Sequence, residues 1–298
     1  MIQFGTNPIA WANDDDQTLG ADIPTERILT EAGRLIGFDG IENGHRWPQD
    51  DPEALKQLLA EYGLSFISGW HSLNLLAHSV EDEKKAIQPH LDKLKHNGCR
   101  VCIVCETSNS VQGQDKPLSD RPVLDAAQMQ SFAAKVEEIA QYCADQGIDL
   151  VYHHHMGTVV QSPEDIDAFM AAVGPATKLL FDAGHCYFGG GVPEKVLAKH
   201  IGRVGHFHAK NVRPSVRARV EGEGLSFMDA VRAGVFTVPG DQEGGVDFEP
   251  LLKILATHGY DRWIVIEAEQ DPAVHNPLLY QTLGFHTLKR IARETGLV

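Results

Sequence analysis

Short apolar runs alternate with longer amphipathic segments along this chain, and this alternation constrains the fold more than any other feature. Eight such pairs follow one another within 298 residues, the pattern of repeated βα units around a parallel sheet. The predicted strands span residues 2–5, 40–42, 65–69, 100–105, 149–153, 178–182, 204–208 and 263–267. Because an α/β barrel commonly takes ~250 residues as one unit, the pattern predicts a single (β/α)8 TIM barrel over residues 1–298.

Helical patterns between these strands carry start and stop signals. Ser162 precedes Pro163 and Asp51 precedes Pro52, so a capping side chain stands before proline at the first helical position. Glycines that sit just ahead of a strand are expected to end helices, and they are Gly37, Gly63, Gly98, Gly147, Gly174 and Gly259. The predicted helices include 25–36, 52–62, 126–146, 163–173, 248–258 and 277–295.

Two stretches, 107–124 and 211–246, exceed the ~2–6 residues usual for loops in this fold. Both follow strands, so in a barrel they belong to the catalytic face. We therefore interpret them as lid or substrate-binding loops rather than domain linkers.

Composition and charge exclude several functions. The formal net charge is −15, from 26 basic and 41 acidic residues, which disfavours a nucleic-acid partner. The amino terminus lacks a basic start, and no window approaches the ~20 apolar residues of a membrane span, so we expect a cytoplasmic protein that does not bind membranes. An odd count of 5 cysteines argues against a disulfide framework. Cys102 and Cys105 form a C-x-x-C inside an apolar run, where we interpret them as core residues.

Metal-capable side chains end six of the predicted strands. They are Glu42, Glu106, His153 to His155, Asp182 with His185, His206 with His208, and Glu267 with Glu269. The carboxyl ends of barrel strands open into one active site, and clustering such groups there is costly unless a cation or substrate compensates them. A mixed nitrogen and oxygen set suits Mn²⁺, Co²⁺, Fe²⁺ or Zn²⁺ better than Ca²⁺. With no ligating thiolate evident, we expect Mn²⁺ or Co²⁺.

Three further motifs bear on the site. His153 and His155 share one face of a strand while His154 points to the other. Residues 189–191, a run of glycines, could bind a phosphate but fit a plain loop better. Trp11, Trp47 and Trp70 lie near the ends of the first three strands, where an indole could line a sugar site or pack in the core.

Eight short segments carry a resemblance that covers nearly the whole chain. LLFDAGH (179–185), HFHAKN (206–211) and WIVIEAEQD (263–271) resemble the xylose isomerase-like barrel superfamily, whose members place Glu, Asp, His and Glu around divalent metals. More narrowly, PIAWANDD, GFDGIENGHRWP, ETSNSVQG, YHHHMGT and EAEQDP resemble the myo-inosose-2 dehydratases of inositol breakdown.

The resemblance implies metal ligands and leaves one of them open. Asp182, His208 and Glu267 match ligand positions of the superfamily. The fourth ligand is His153, at a place where many members have glutamate, or Glu106 on the fourth strand. We favour His153, because two carboxylates and two imidazoles neutralise a divalent ion.

The resemblance also implies a reaction, the loss of water from 2-keto-myo-inositol (scyllo-inosose) to give a trihydroxycyclohexane-1,2-dione. A base removes the proton next to the ketone and an acid protonates the departing hydroxyl. The titratable candidates, between which the sequence does not choose, are His155, His185, Lys210 and Glu269. The candidates for substrate contacts are Trp11, Glu42, His71 and Glu106. Asn211 stands where aspartate is common, which puts an acid–base role there in doubt.

Four alternatives stay open from sequence. A ketose epimerase or isomerase would use the same metal, and a 3-dehydroshikimate dehydratase would need a cationic partner such as Arg213, Arg217 or Arg219. A DNA-repair nuclease of the same barrel would need a basic groove, which the net charge disfavours. A non-catalytic sugar-binding module would tolerate loss of the ligands. The expected partner is a small cyclitol or keto sugar, and a homo-oligomer is compatible with the sequence.

Overall fold

The computed structural model describes residues 2–298, and its centre is a nine-stranded sheet. The strands in chain order are β1 (Gln3–Thr6), β2 (Gly40–Ile41), β3 (Ser65–Phe66), β4 (Trp70–Leu73), β5 (Val101–Glu106), β6 (Asp149–His153), β7 (Lys178–Asp182), β8 (Val204–His208), β9 (Asn211–Val212), β10 (Phe236–Thr237) and β11 (Trp263–Ile266). All pairs in the large sheet are parallel, whereas β9 and β10 form a separate antiparallel ribbon.

The sheet closes into a barrel through a split third strand. The order is β3-β2-β1-β11-β8-β7-β6-β5-β4, so β3 and β4 stand at its two ends although only residues 67–69 separate them in the chain. Between them the Ser68 hydroxyl donates to the Val101 carbonyl, where a backbone N–H would otherwise bond. The predicted α/β barrel is confirmed, with the predicted strand 65–69 replaced by two shorter pieces.

Helices cover the outside of the barrel. They are α1 (Thr25–Leu29, continued by π-helical turns over Thr30–Ile36), α2 (Pro52–Glu61), α3 (Val80–His96), α4 (Ala126–Ala144), α5 (Pro163–Ala172), α6 (Ala183–Phe188), α7 (Pro193–His200), α8 (Pro214–Glu223), α9 (Phe227–Arg232), α10 (Phe248–Thr257) and α11 (Pro277–Glu294). None of these helices, in the chain from residue 2 onward, is long and apolar enough to span a bilayer.

The predicted helix signals correspond to observed caps. Asp51 accepts a hydrogen bond from the Ala54 amide, and Ser162 forms a capping box with Asp165. Five of the six predicted helix-ending glycines have a positive φ, and Gly174 does not. A Cβ at Gly174 would lie 2.4 Å from a carboxylate oxygen of Glu137, so the close approach of that side chain explains this glycine.

The two long segments pack together rather than forming open loops. Residues 211–246 fold into β9, α8, α9 and β10, and Leu118 of the other segment joins their separate apolar core. A β-bridge between Pro117 and Ser226 links the segments. The two segments therefore form one packed unit.

Side chains alternate between the barrel interior and the surrounding helices. Val101, Ile103, Val151 and Leu180 form one small cluster, whereas the residues between them on β5, β6 and β7 belong to the large core. Because neighbouring residues on a strand point to opposite faces, this division marks which positions face inward. All five cysteines are unpaired and buried, which agrees with the interpretation of Cys102 and Cys105 as core residues.

The lack of space around Gly40 in the barrel leads to a prediction about stability. A Cβ there would lie 2.7 Å from the Ser65 carbonyl oxygen and 2.7 Å from the Trp263 ring. We expect Gly40→Ala to destabilise the fold by ~1–3 kcal/mol, as overpacking does. Gly202→Ala, at an exposed glycine with open space around it, should change stability by less than ~0.5 kcal/mol. Urea denaturation of both variants tests this, and equal midpoints would contradict it.

Candidate metal centre and active site

A cavity of ≈ 370 Å³ opens at the carboxyl ends of the barrel strands. Its volume lies in the range of ~300–1,000 Å³ usual for small-molecule sites. The strand ends supply most of its chemically active lining, which includes Asn7, Glu42, Trp70, His153, His155, His208, Glu267 and Glu269.

Four side chains converge at this cavity in an arrangement that could hold one metal ion. His153, Asp182, His208 and Glu267 are all buried, and each offers a ligand atom within 4.8 Å of the other three. The Asp182 Oδ2 atom lies 3.6 Å from His153 Nε2 and 3.5 Å from His208 Nδ1. Glu267 Oε2 lies 3.9 Å from His153 Nε2 and contacts His208 Nδ1.

Three of the four ligands are anchored through one polar atom and free at the other. Asp182 Oδ1 accepts from the His185 amide at 2.7 Å, and Glu267 Oε1 accepts from Lys210 Nζ at 3.0 Å. His208 uses Nε2, which lies 3.0 Å from Glu42 Oε1. The remaining atoms, Asp182 Oδ2, Glu267 Oε2 and His208 Nδ1, are buried without a hydrogen-bond partner among residues 2–298.

This pattern fits a divalent cation. Buried polar atoms without partners are rare and costly, and a metal ion would satisfy all three at once. Two imidazole nitrogens and two carboxylate oxygens form a donor set of the kind that first-row divalent metals take. The site therefore has the ligands, burial and charge for one such ion.

Protonation states in the cluster also suit metal binding. Burial raises the pKa of Glu267, but Lys210 and His208 outweigh it and lower that pKa to about 2. Burial also opposes ionisation of Asp182, yet nearby His185 and Lys210 hold its pKa well below the usual value. Burial lowers the pKa of His153. Both carboxylates are thus charged and His153 is neutral near pH 7, the forms in which they ligate metals. Burial lowers the pKa of His208, but Glu42 and Glu267 outweigh it and raise that pKa well above the usual value, so His208 releases a proton when it ligates a metal.

Two of the predicted proton-transfer residues line the cavity. His155 Nδ1 lies 2.8 Å from the Met156 carbonyl oxygen, which can only accept, so the neutral ring carries its proton on Nδ1 and leaves Nε2 free. Burial lowers the pKa of His155 well below its usual value. Glu269 accepts from Asn13 Nδ2 at 2.9 Å, and burial raises the pKa of its carboxyl to about 8.

The other two predicted proton-transfer residues stand outside the cavity lining. Lys210 and His185 are completely buried, and Lys210 Nζ lies 3.1 Å from His185 Nε2 as well as 3.0 Å from Glu267. Phe227 and Phe236 cover them, with the Phe236 ring centroid 4.3 Å from Lys210 Nζ. Their contacts support the metal ligands rather than a bound molecule.

Three of the residues predicted to contact substrate, Trp11, His71 and Glu106, do not line the cavity. Trp11 is fully buried and donates to Glu31 at 2.6 Å. His71 and Glu106 occupy outward-facing strand positions: His71 lies 2.8 Å from Glu83, and Glu106 accepts from the Leu75 and Ser108 amides. The ligand cluster contains His153 and not Glu106.

The sequence left the role of Trp70 open, and Ser72 and Asn13 were not predicted. Trp70 is the member of the predicted tryptophan set that reaches the cavity, with ring centroids 5.6 Å from His153 and 5.7 Å from His155. Trp70 and Ser72 share the inward face of β4, so strand alternation was the signal that could have identified them. Asn13, which holds Glu269, lies in a loop without such a pattern.

The lining of the cavity is acidic. Asp14, Asp15, Glu42, Glu267 and Glu269 contribute to it, and none of its lining residues within the described chain is Lys or Arg. The arginines considered for a substrate carboxylate bind elsewhere: Arg213 donates to backbone carbonyls, Arg217 to Tyr187, and Arg219 to Glu223. An anionic substrate would find no Lys or Arg side chain on the cavity wall.

Comparisons with known proteins agree with this architecture. A family model described as xylose isomerase-like TIM barrel matches residues 31–287. The chain is 43% identical to the rhizopine catabolism protein MocC of Rhizobium meliloti, covering 99% of this chain and 90% of that protein. It is 42% identical to the inosose dehydratase of Geobacillus thermodenitrificans strain NG80-2, covering 94% and 93%.

Solved structures with low sequence identity share the fold. The probable 3-DHS dehydratase AsbF of Bacillus anthracis has a TM-score of 0.70 at 15% identity, covering 96% of this chain and 98% of that chain. D-allulose 3-epimerase from Methylomonas sp., in complex with D-allulose, has a TM-score of 0.66 at 19% identity, covering 97% and 96%.

The ligand assignment predicts different outcomes for His153→Ala and Glu106→Gln. Removing His153 should weaken Mn²⁺ binding by at least ~100-fold, because the remaining ligands no longer complete the site. Glu106→Gln should keep Mn²⁺ affinity and lose stability, because the amide that replaces one carboxylate oxygen cannot accept a backbone N–H. Titration of metal-free protein measures the affinities. Loss of Mn²⁺ from Glu106→Gln with retention in His153→Ala would reverse the assignment.

Proposed function

The chain belongs to the xylose isomerase-like TIM barrel family, together with inosose dehydratases, and we propose that it is a hydro-lyase of inositol breakdown. It removes water from 2-keto-myo-inositol to give a trihydroxycyclohexane-1,2-dione. The observation that carries the proposal is the four-ligand centre in an acidic cavity whose lining contains no Lys or Arg among the described residues. Such a cavity favours a neutral polyhydroxylated ketone over an anionic substrate.

The ligand set supports Mn²⁺ or Co²⁺. Carboxylate oxygen and imidazole nitrogen occur in equal number, and the ligand group includes no thiolate. Bound by His153, Asp182, His208 and Glu267, such an ion supplies Lewis-acid stabilisation of the negative charge that develops as the substrate loses its α proton.

We assign His155 as the base that removes this proton. Its ring lines the cavity, and the Met156 carbonyl holds the ring proton on Nδ1, so the Nε2 lone pair is available. A neutral imidazole with a fixed tautomer is suited to general-base catalysis. The Trp70 indole lies against the same ring and restricts how a substrate can approach it.

We assign Glu269 as the group that protonates the departing hydroxyl. It lines the cavity beyond Glu267, and Asn13 fixes one of its oxygens. Lys210 and His185 act as positioning residues in this account: Lys210 orients Glu267, and the His185 amide orients Asp182. Neither needs to touch the substrate.

The substrate assignment predicts a ranking among ketones. With Mn²⁺, 2-keto-myo-inositol should lose one water, detected by mass spectrometry, and chelation should stop the reaction until Mn²⁺ is restored. We expect kcat/KM for 3-dehydroshikimate to be lower by ~10³-fold or more, because its carboxylate would meet acidic side chains and no Lys or Arg partner on the cavity wall. D-allulose tests the epimerase alternative. Epimerisation of 2-keto-myo-inositol or of D-allulose without loss of water would contradict the assignment as a dehydratase.

The assignment of the base predicts the behaviour of His155→Gln. We expect kcat to fall by ~10²–10⁴-fold, the usual contribution of a general base, while Mn²⁺ affinity stays unchanged. His96→Gln, at a half-exposed surface histidine, is the matched control and should keep normal kcat. Near-normal turnover in metal-loaded His155→Gln would show that another group takes the proton.

A further inference from the structure

Glu42 is a buried carboxylate held by three donors, two on β8 and one that follows β1. It is 2% exposed, and its Oε1 atom lies 2.8 Å from His206 Nε2 and 3.0 Å from His208 Nε2. Its Oε2 atom accepts from Asn7 Nδ2 at 2.8 Å. Both oxygens are thus engaged within the protein, which argues against the predicted contact with substrate hydroxyls.

These contacts determine where His208 carries its ring proton. A carboxylate oxygen can only accept, so His208 donates from Nε2. When Nδ1 binds a cation the ring keeps one proton, and the hydrogen bond to Glu42 places that proton on Nε2. Nδ1 is the atom that faces Asp182 Oδ2 and Glu267 Oε2, and it has no hydrogen-bond partner in the described structure.

We propose that Glu42 is a positioning residue of the metal centre, which holds the His208 proton on Nε2 so that Nδ1 is directed at the cation. The inference rests on the metal centre of the proposed function and is independent of the substrate. A carboxylate behind a ligating histidine fixes the ring orientation and makes the ligand more basic. Loss of such a partner typically weakens metal binding by ~10–100-fold.

A second cation between Glu42, His206 and His208 is the competing interpretation, since their ligand atoms also lie within 4.8 Å of one another. Such an ion would displace the Nε2 protons of both histidines and occupy the space of two hydrogen bonds of ordinary length. His208 would then bridge two positive ions through one ring. The hydrogen-bonded arrangement requires neither the loss of these protons nor a histidine that bridges two ions, so we assign one ion to the site.

The test is Mn²⁺ titration of chelator-treated protein without substrate, followed by the electron paramagnetic resonance of free Mn²⁺. Wild type should bind one ion, and Glu42→Gln should bind one ion ~10–100-fold more weakly. Glu106→Gln, a matched buried carboxylate outside the cluster, should bind like wild type. Ring-nitrogen NMR of the protein loaded with diamagnetic Zn²⁺ should show His208 protonated at Nε2 and bound through Nδ1 in wild type, and a mixture of the two ring orientations in Glu42→Gln.

Equal Mn²⁺ affinity in wild type and Glu42→Gln would overturn the inference while the metal centre stands. Two ions in wild type and one in Glu42→Gln would overturn it in favour of the second cation site. If Glu42→Gln does not fold, Glu42→Asp replaces it: its shorter carboxylate should also weaken binding, and unchanged affinity would overturn the inference. Wild type that binds no Mn²⁺ overturns both this inference and the metal centre, whereas Mn²⁺ binding without dehydration contradicts only the proposed function.

Discussion

The proposed metal site depends on the attraction between one divalent cation and four side-chain atoms that converge at the mouth of the barrel. Without a cation, Asp182 and Glu267 would bring two negative charges together in a buried place, which is unfavourable. The protein orients three of the ligands from behind: the His185 amide holds Asp182, Lys210 holds Glu267, and Glu42 holds His208. The free atoms therefore face each other, and the remaining residues of the cavity are arranged around this centre.

The barrel supplies the convergence through strand register and alternation. Asp182 and His208 are direct neighbours across β7 and β8, and His153 pairs with Leu180, one inward position earlier on β7. Because alternate residues face inward, the same strands that place these ligands also direct Phe181 and Phe207 into the core. A shift of one residue in any of these strands would exchange a ligand for a core side chain.

Most of the residues at the site could be predicted from the sequence, but their contacts could be predicted only in part. Strand ends can be predicted because apolar runs end at polar groups, and all four members of the ligand cluster were among these candidates. The family resemblance, not the strand pattern, selected Asp182, His208 and Glu267 from the larger set. His71 and Glu106 do not line the cavity, because they stand at outward positions of β4 and β5, where Trp70, Ser72 and Ile103 face inward. The role of Trp11 could not be read in this way, since it follows a strand and its environment depends on Glu31, distant in sequence. The helices of the segment 211–246 could not be predicted in this way either, because they are stabilised by packing against residues distant in sequence, such as Leu118.

The central claim is that one divalent ion binds at the end of β6, β7, β8 and β11. Anomalous diffraction from a crystal grown with Mn²⁺, recorded at the manganese absorption edge, locates the ion without reference to activity. The account predicts one peak within coordination distance of His153 Nε2, Asp182 Oδ2, His208 Nδ1 and Glu267 Oε2. A peak at Glu106 would contradict it. The absence of any peak in the cavity of a crystal saturated with Mn²⁺ would also contradict it.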